Sequence, residues 1–265
     1  MTKLGFIGCG NMASAIIGGI VSKGLVSPRG IFVSNHSAAS AAHAAETLGV
    51  NAGTDNLAVV AEADILFLSV KPQKYEWVIE QIRDSIRPAQ IVVTIAPGKT
   101  LAWLAERLGS SVKIVRTMPN TPALVGEGFT SYCANEHVSP EELDVVVRLL
   151  ESYGVALQLD EHLIDAASAV GGSAPAFVYA FIEALADGGV AEGLPRAQAY
   201  QVAAQTVLGS AKMVLETGKH PGQLKDEVCS PAGSTIKGME VLEKAGFRGR
   251  VIDAVRTTAA AARGL

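Results

Sequence analysis

Two short runs of small residues carry the clearest chemistry in this chain. The first is Gly8-Cys9-Gly10-Asn11-Met12-Ala13, of the form G-x-G-x-x-A, placed between an apolar run and a helical pattern. In that setting Gly8 permits a tight turn and Gly10 lets backbone approach a diphosphate. Ala13 keeps the helix close to the strand, and the helix N-terminus faces the phosphates. The second run, Ser230-Pro231-Ala232-Gly233-Ser234-Thr235, opens another helical pattern far along the chain. The N–H groups of Gly233, Ser234 and Thr235, with the hydroxyls of Ser230 and Thr235, suit a small anion such as a carboxylate. A plain N-cap by Ser230 or Ser234 would look the same locally, so the residues alone leave both readings open.

The residues after the second apolar run bear on which dinucleotide the first loop takes. An NAD site usually carries Asp or Glu there to accept the ribose 2′-OH. Here the run ends Val33-Ser34-Asn35-His36, with no carboxylate before Glu46. Ser34 and Asn35 can donate to a 2′-phosphate and His36 can add charge, so NADP(H) is favoured, although no arginine is present. "SVKPQ" (69–73) and "IAPG" (95–98) end two further apolar runs, where an open parallel sheet lines its ligand crevice. Lys71 reads as a solvated residue near the cofactor more readily than as a catalytic lysine. Asn120, in "RTMPNTPALVGEG", can hydrogen-bond but names no reaction. The five histidines (36, 43, 137, 162, 220) and three cysteines (9, 133, 229) have no metal-ligand spacing, so no metal is expected and the thiols read as reduced.

The elements that position these runs follow from periodicity. Over 1–160, short apolar runs alternate with helical segments, which predicts a Rossmann-type α/β fold with a doubly wound parallel sheet. Strands are expected at "KLGFIG", "GIFVSN", near Val50, at "DILFLSV", "IVVTIA", "VKIVRTM", "GFTSYCA" and "VALQL". Ser139 and Pro140 mark a helix start. Over 161–265 the strand pattern stops, and helices are expected at Glu161–Val170, Ala174–Glu192, Pro195–Glu216, Thr235–Ala245 and Gly249–Arg263. Gly193, Gly218 and Gly246 fall at helix ends. So much apolar surface in about 100 residues suggests docking on the first domain and dimerisation through these helices. The chain has 265 residues, 49% hydrophobic and 18% charged, with net charge −4 and 5% aromatics. That balance argues against disorder and against nucleic acid as a partner. The N-terminus enters a strand pattern without a signal-peptide layout, and the uncharged run Ala166–Ile182 is short and interrupted by glycines and Pro175. Neither points to a membrane, and a cytoplasmic location is expected.

The second run and its surroundings resemble the Δ1-pyrroline-5-carboxylate reductase family, in which a "SPGGTT"-like turn follows a "HPGQLKD"-like segment. Both are present, at 220–226 and 230–235, together with "GFIGCGNMA", "SVKP", "RTMPNTPALVGEG", "GSAPAF" and "ALADGGVAEGLPR" in order along the chain. The resemblance implies an oxidoreductase that reduces 1-pyrroline-5-carboxylate to L-proline with NADPH, or NADH, as hydride donor. It further implies a Rossmann domain followed by an all-helical domain that interleaves with a partner's in a dimer, often built into a decamer. Carried over, the substrate carboxylate falls to Ser230 and the backbone of Ala232, Gly233 and Ser234, with Thr235 at the ring nitrogen as the catalytic residue. The cofactor falls to Gly8, Gly10, Asn11, Met12, Ala13, Ser34, Asn35, Asn56, Val70, Lys71, Pro72, Ala96 and Gly98. Ala232 departs from the family's glycine, so a positive φ there would be strained, and Ser234 replaces a threonine while keeping the hydroxyl. The competing readings are a β-hydroxyacid dehydrogenase using Lys71 and a non-catalytic NADP(H)-sensing scaffold.

Overall fold

A computed structural model describes residues 2–262; Met1 and the end of the helix expected to reach Arg263 lie outside the described residues. The described residues group into two compact units, one running through Ser173 and resuming at Thr258, the other Ala174–Thr257. In chain order the first contains β1 (Leu4–Ile7), α1 (Asn11–Ser22), β2 (Ile31–Ser34), α2 (Ala38–Leu48), β3 (Asn51–Gly53) and α3 (Asn56–Glu62). There follow β4 (Ile65–Leu68), α4 (Tyr75–Ile82), β5 (Ile91–Thr94), α5 (Leu101–Leu108), β6 (Lys113–Met118), β7 (Gly128–Ala134), α6 (Pro140–Leu150), β8 (Gly154–Gln158) and α7 (Glu161–Ser168).

These strands form one sheet in the order β3-β2-β1-β4-β5-β6-β7-β8. The chain winds outward from β1 to β3 on one side and from β4 on the other, so the switch point lies between β1 and β4. Ligands of open α/β sheets bind outside the carboxyl ends of the strands at such a point. The central strands are apolar throughout because both faces are covered. Phe6, Ile65, Phe67, Ile91 and Val93 face the core under α1 and α6, with the Phe6 and Phe67 rings stacked at 4.6 Å. Ile7, Leu66, Leu68 and Val92 face the core under α3, α4 and α5. Alternation along each strand thus feeds two cores and leaves the strand ends free to carry loops.

The expected all-parallel sheet differs at one edge, where β7 runs antiparallel to β6 and β8 parallel to β7. Residues 119–127 connect β6 to β7, too few for the crossover helix that a parallel neighbour needs. Ser139 caps α6 as expected: its hydroxyl accepts the Glu142 N–H and the Glu142 carboxylate accepts the Ser139 N–H. The helix expected over Glu161–Val170 stops at Ser168 and passes into a π-helical turn, Ala169–Ser173. A Cβ on Gly171 would stand 2.6 Å from the Phe129 ring, so that turn needs a glycine.

The second unit is helical: α8 (Ala174–Ala191), α9 (Arg196–Thr217), α10 (Pro221–Val228), α11 (Ser234–Lys244) and most of α12 (Phe247–Ala262). Gly193, Gly218 and Gly246 end helices at φ of +98°, +63° and +72°, where a side chain would be strained. The periodicity of 218–229 does not mark α10 as a separate helix. It starts where the His220 Nδ1 accepts the Gly222 N–H and Pro221 takes the first turn. The buried core of this second unit is small, centred on Ala186, Ala199 and Ala203, while Tyr179, Val202, Leu208, Leu215, Val241 and Ile252 are exposed.

Candidate functional site

The glycine loop sits at the carboxyl end of β1, next to the switch point. Gly8 takes φ +89°, and a Cβ there would meet Val70 Cγ1 at 2.9 Å and the Ser69 carbonyl oxygen at 3.0 Å. The fold therefore requires glycine at this position. Gly10 differs: its φ is −89°, and a Cβ would meet nothing within 4 Å. It caps α1 with no side-chain hydrogen bond, and the first turn of α1 holds no acidic residue. The loop thus leaves open space over an uncapped helix N-terminus, which fits a diphosphate by both geometry and charge. Asn11 and Gly10 are exposed, Met12 is half-buried and Ala13 is packed against the sheet. Burial pushes the Cys9 thiol up, with the Ser14 hydroxyl opposing the shift, so Cys9 brings no negative charge to this loop.

At the end of β2 the Ser34 hydroxyl and Asn35 amide, expected as donors to a 2′-phosphate, donate within the protein instead. Asn35 Oδ1 accepts the Cys9 N–H at 2.8 Å, and Asn35 Nδ2 donates to the Ser40 carbonyl at 3.0 Å. Ser34 is 1% exposed and donates to Asn56 Oδ1 at 2.6 Å, while Asn56 Nδ2 donates to Gln81 Oε1 at 2.8 Å. Asn35 therefore joins the glycine loop to α2, and Ser34, Asn56 and Gln81 form a chain from β2 to α4. His36 stays exposed, next to the Ser37 that caps α2, and the first turn of α2 is free of acidic residues.

Val70, Lys71 and Pro72 leave β4, and Ala96 and Gly98 leave β5, on the same edge of the sheet as Gly8. The Ser69 N–H donates to the Ile7 carbonyl at 2.9 Å, and its hydroxyl donates to the Gly8 carbonyl at 2.9 Å. The fully buried Tyr75 donates to the Leu68 carbonyl and pairs with the Thr94 hydroxyl at 2.9 Å; burial drives its phenol far above the usual range. The Thr117 hydroxyl donates to the Thr94 carbonyl at 2.8 Å. These bonds tie the ends of β4, β5 and β6 together. Lys71 is exposed and makes no ion pair among the described residues. Asn120 is 8% exposed: its Oδ1 accepts the Phe129 N–H at 2.8 Å, and its Nδ2 donates to the Gly171 carbonyl at 2.7 Å. Tyr75, Thr94, Gln81 and this role of Asn120 escaped sequence reasoning, because each depends on a partner in another element.

In the helical unit, the Gly233 N–H, expected to be free for an anion, instead donates to the Ser230 carbonyl at 3.0 Å and closes a four-residue turn over Pro231 and Ala232. Ala232 has φ +59°, the one positive value at a non-glycine among the described residues. Proline at the second position and positive φ at the third describe a type II turn. A Cβ on Gly233 would stand 2.4 Å from Ser230 Oγ, so glycine makes room for that hydroxyl. Gly233, with no side-chain hydrogen bond, is the N-cap of α11. The plain serine cap is thereby excluded. The N–H groups of Ser234, Thr235 and Ile236 have no acceptor within the helix, and the hydroxyls of Ser230, Ser234 and Thr235 have no partner among the described residues.

Comparison with known proteins bears on both segments. Residues 161–265 match a family model described as pyrroline-5-carboxylate reductase dimerisation, and residues 3–98 match one described as NADP oxidoreductase, coenzyme F420-dependent. A pyrroline-5-carboxylate reductase of Escherichia coli is 49% identical over 96% of this chain and 94% of its own. One of Arabidopsis thaliana is 42% identical over 99% of this chain and 95% of its own. The crystal structure of Plasmodium falciparum pyrroline carboxylate reductase, with NADP bound, superposes with a TM-score of 0.91 at 34% identity, covering 99% of this chain and 97% of that one. Similarity at this level, spread over nearly the whole sequence, places the chain in the pyrroline-5-carboxylate reductase family.

Proposed function

We propose that this reductase, which converts 1-pyrroline-5-carboxylate to L-proline with hydride from a nicotinamide cofactor, prefers NADPH and holds its substrate at the 230–235 turn. The observation that carries the site assignment is the pair of uncapped helix starts, α1 behind Gly10 and α11 behind Gly233. Each offers orphan N–H groups and a positive dipole end to an anion. The first takes the diphosphate and the second the substrate carboxylate, joined there by the Ser230 hydroxyl. The preference for NADPH rests on the end of β2, where residues 34–40 offer no carboxylate to repel a 2′-phosphate or to accept a ribose 2′-OH.

Bound reduced nicotinamide supplies the hydride. The chain's own residues orient and polarise the acceptor. An imine accepts hydride far better once its nitrogen is protonated, because the electron pair then neutralises charge. Thr235 is too weak an acid to protonate it near neutral pH. Its hydroxyl accepts the iminium N–H and fixes the ring, and the proton arrives with the substrate or through water. Gly8, Gly10, Asn11, Met12 and Ala13 receive the diphosphate, and Asn35 holds that loop in place. Ser34, His36 and Asn56 border the 2′ position, while Val70, Lys71, Pro72, Ala96 and Gly98 form the strand-end loops beside the nicotinamide half.

A spectrophotometric assay tests this reading: NADPH is consumed when pyrroline-5-carboxylate is added, with a lower KM than for NADH. Equal KM values for the two would overturn the cofactor preference. Lys71→Ala separates imine reduction from a lysine-assisted dehydrogenase. It is expected to lower kcat by less than about fivefold, because exposed Lys71 acts at most on cofactor affinity. Loss of all turnover in that variant would move Lys71 into the mechanism.

The exposed apolar side chains of the helical unit are covered in a homodimer, which the dimerisation family supports; a monomer in light scattering would overturn this. Assembly of such dimers into a decamer is compatible with closed symmetry. By length and composition alone the helical run Glu161–Ala191 would suffice to cross a membrane. We assign it to the dimer, since the dimerisation region covers it, and assign the protein to the cytoplasm.

A further inference from the structure

At the positive-φ positions of the described chain the fold places glycine ten times, at Gly8, Gly24, Gly49, Gly98, Gly109, Gly126, Gly154, Gly193, Gly218 and Gly246, and alanine once, at Ala232. That exception lies in the turn assigned above to the substrate carboxylate. A Pro-Ala pair at the centre of a turn prefers type I, in which both residues keep negative φ. Type II is the choice of Pro-Gly, because its third residue must enter the left-handed region. The two forms share the closing bond from the Gly233 N–H to the Ser230 carbonyl, at 3.0 Å here. They differ by a rotation of the Pro231–Ala232 peptide plane, which exchanges the directions of the Ala232 N–H and the Pro231 carbonyl. Ala232 is exposed among the described residues, so no neighbour within the chain packs against it in the strained form.

We propose that Ala232 makes the 230–233 turn a two-state element, in which the type II form binds the substrate carboxylate and the alanine side chain lowers the population of that form. The inference rests on assigning the turn to the substrate. Strained backbone concentrates where a ligand selects it. An anion at the start of α11 favours the peptide orientation that shows it an N–H, and that gain offsets the left-handed conformation. A binding-competent state populated only in part raises the apparent dissociation constant in proportion. Ala232 is thus a positioning residue that sets substrate affinity through the backbone.

The test compares Ala232→Gly, Ala232→Val and Ser230→Ala in the full-length enzyme by steady-state kinetics, with pyrroline-5-carboxylate and NADPH varied separately. Ala232→Gly is expected to lower the KM for pyrroline-5-carboxylate by about three- to tenfold, with the change carried by KM and the KM for NADPH unmoved. Ala232→Val, which enters the left-handed region less readily, is expected to raise it. A merely structural alanine would shift the unfolding midpoint and leave this KM in place. If Ser230→Ala raises the KM while Ala232→Gly leaves it unchanged or raises it, the turn holds the substrate but Ala232 does not tune it, and the proposal fails. If none of the three variants alters that KM, the assignment of the turn fails and the proposal falls with it.

Discussion

Thr235→Val lowers kcat/KM for pyrroline-5-carboxylate by about tenfold to a thousandfold, while NADPH binding measured by fluorescence titration stays at the parent value. The substitution keeps the branched shape and removes only the hydroxyl, so the loss isolates one hydrogen bond to the ring nitrogen. Such bonds, when aimed at a centre whose charge changes in the transition state, are worth about 1.5–4 kcal/mol. The hydroxyl of Thr235 has no other partner among the described residues, and Gly233 caps α11 in its place. Its removal therefore leaves the start of the helix intact. Turnover equal to the parent would remove Thr235 from the mechanism. A fall in kcat/KM together with weaker NADPH binding would instead indicate that the substitution disturbs more than the substrate.

Gly8→Ala and Gly10→Ala both raise the KM for NADPH, by about tenfold or more, and differ in what happens to the fold. At Gly8 the new methyl group meets Val70 and the Ser69 carbonyl at φ +89°. The variant carries both a contact and a strained backbone, costing about 1–3 kcal/mol of stability. The bonds from Gly8 to Ser34 and from Ser69 to Gly8 shift with it, and the loop no longer matches the diphosphate. At Gly10 the methyl group enters open space on ordinary backbone, so a denaturant titration without cofactor stays within about 0.5 kcal/mol of the parent. The methyl group then occupies room that the phosphates need. Unchanged NADPH affinity in Gly10→Ala would show that the space over α1 is not the diphosphate site.

Local signals in the sequence were legible because they depend on residues two to four apart. The apolar runs "DILFLSV" and "IVVTIA" place successive side chains in alternate cores. The capping box at Ser139 and Glu142, and the helix-ending glycines at 193, 218 and 246, likewise act within one turn. The strain anticipated for an alanine at 232 is present because the turn is closed by its own residues.

What the sequence by itself determined was the kind of most elements, α10 and the π-helical turn at 169–173 excepted, and the presence of two small-residue loops at helix starts. The tertiary structure decided how those loops are held. Asn35, read as a ligand donor, bonds the N–H of Cys9, 26 residues away, and Ser69 reaches Gly8 across 61. Tyr75 joins the ends of β4 and β5, and β7 turns antiparallel because its connection is short. Asn120 spans 51 residues to Gly171. A hydrogen bond of that reach forms only after the strand order has brought its donor and acceptor together, and a polar side chain carries no mark of which distant partner it will meet.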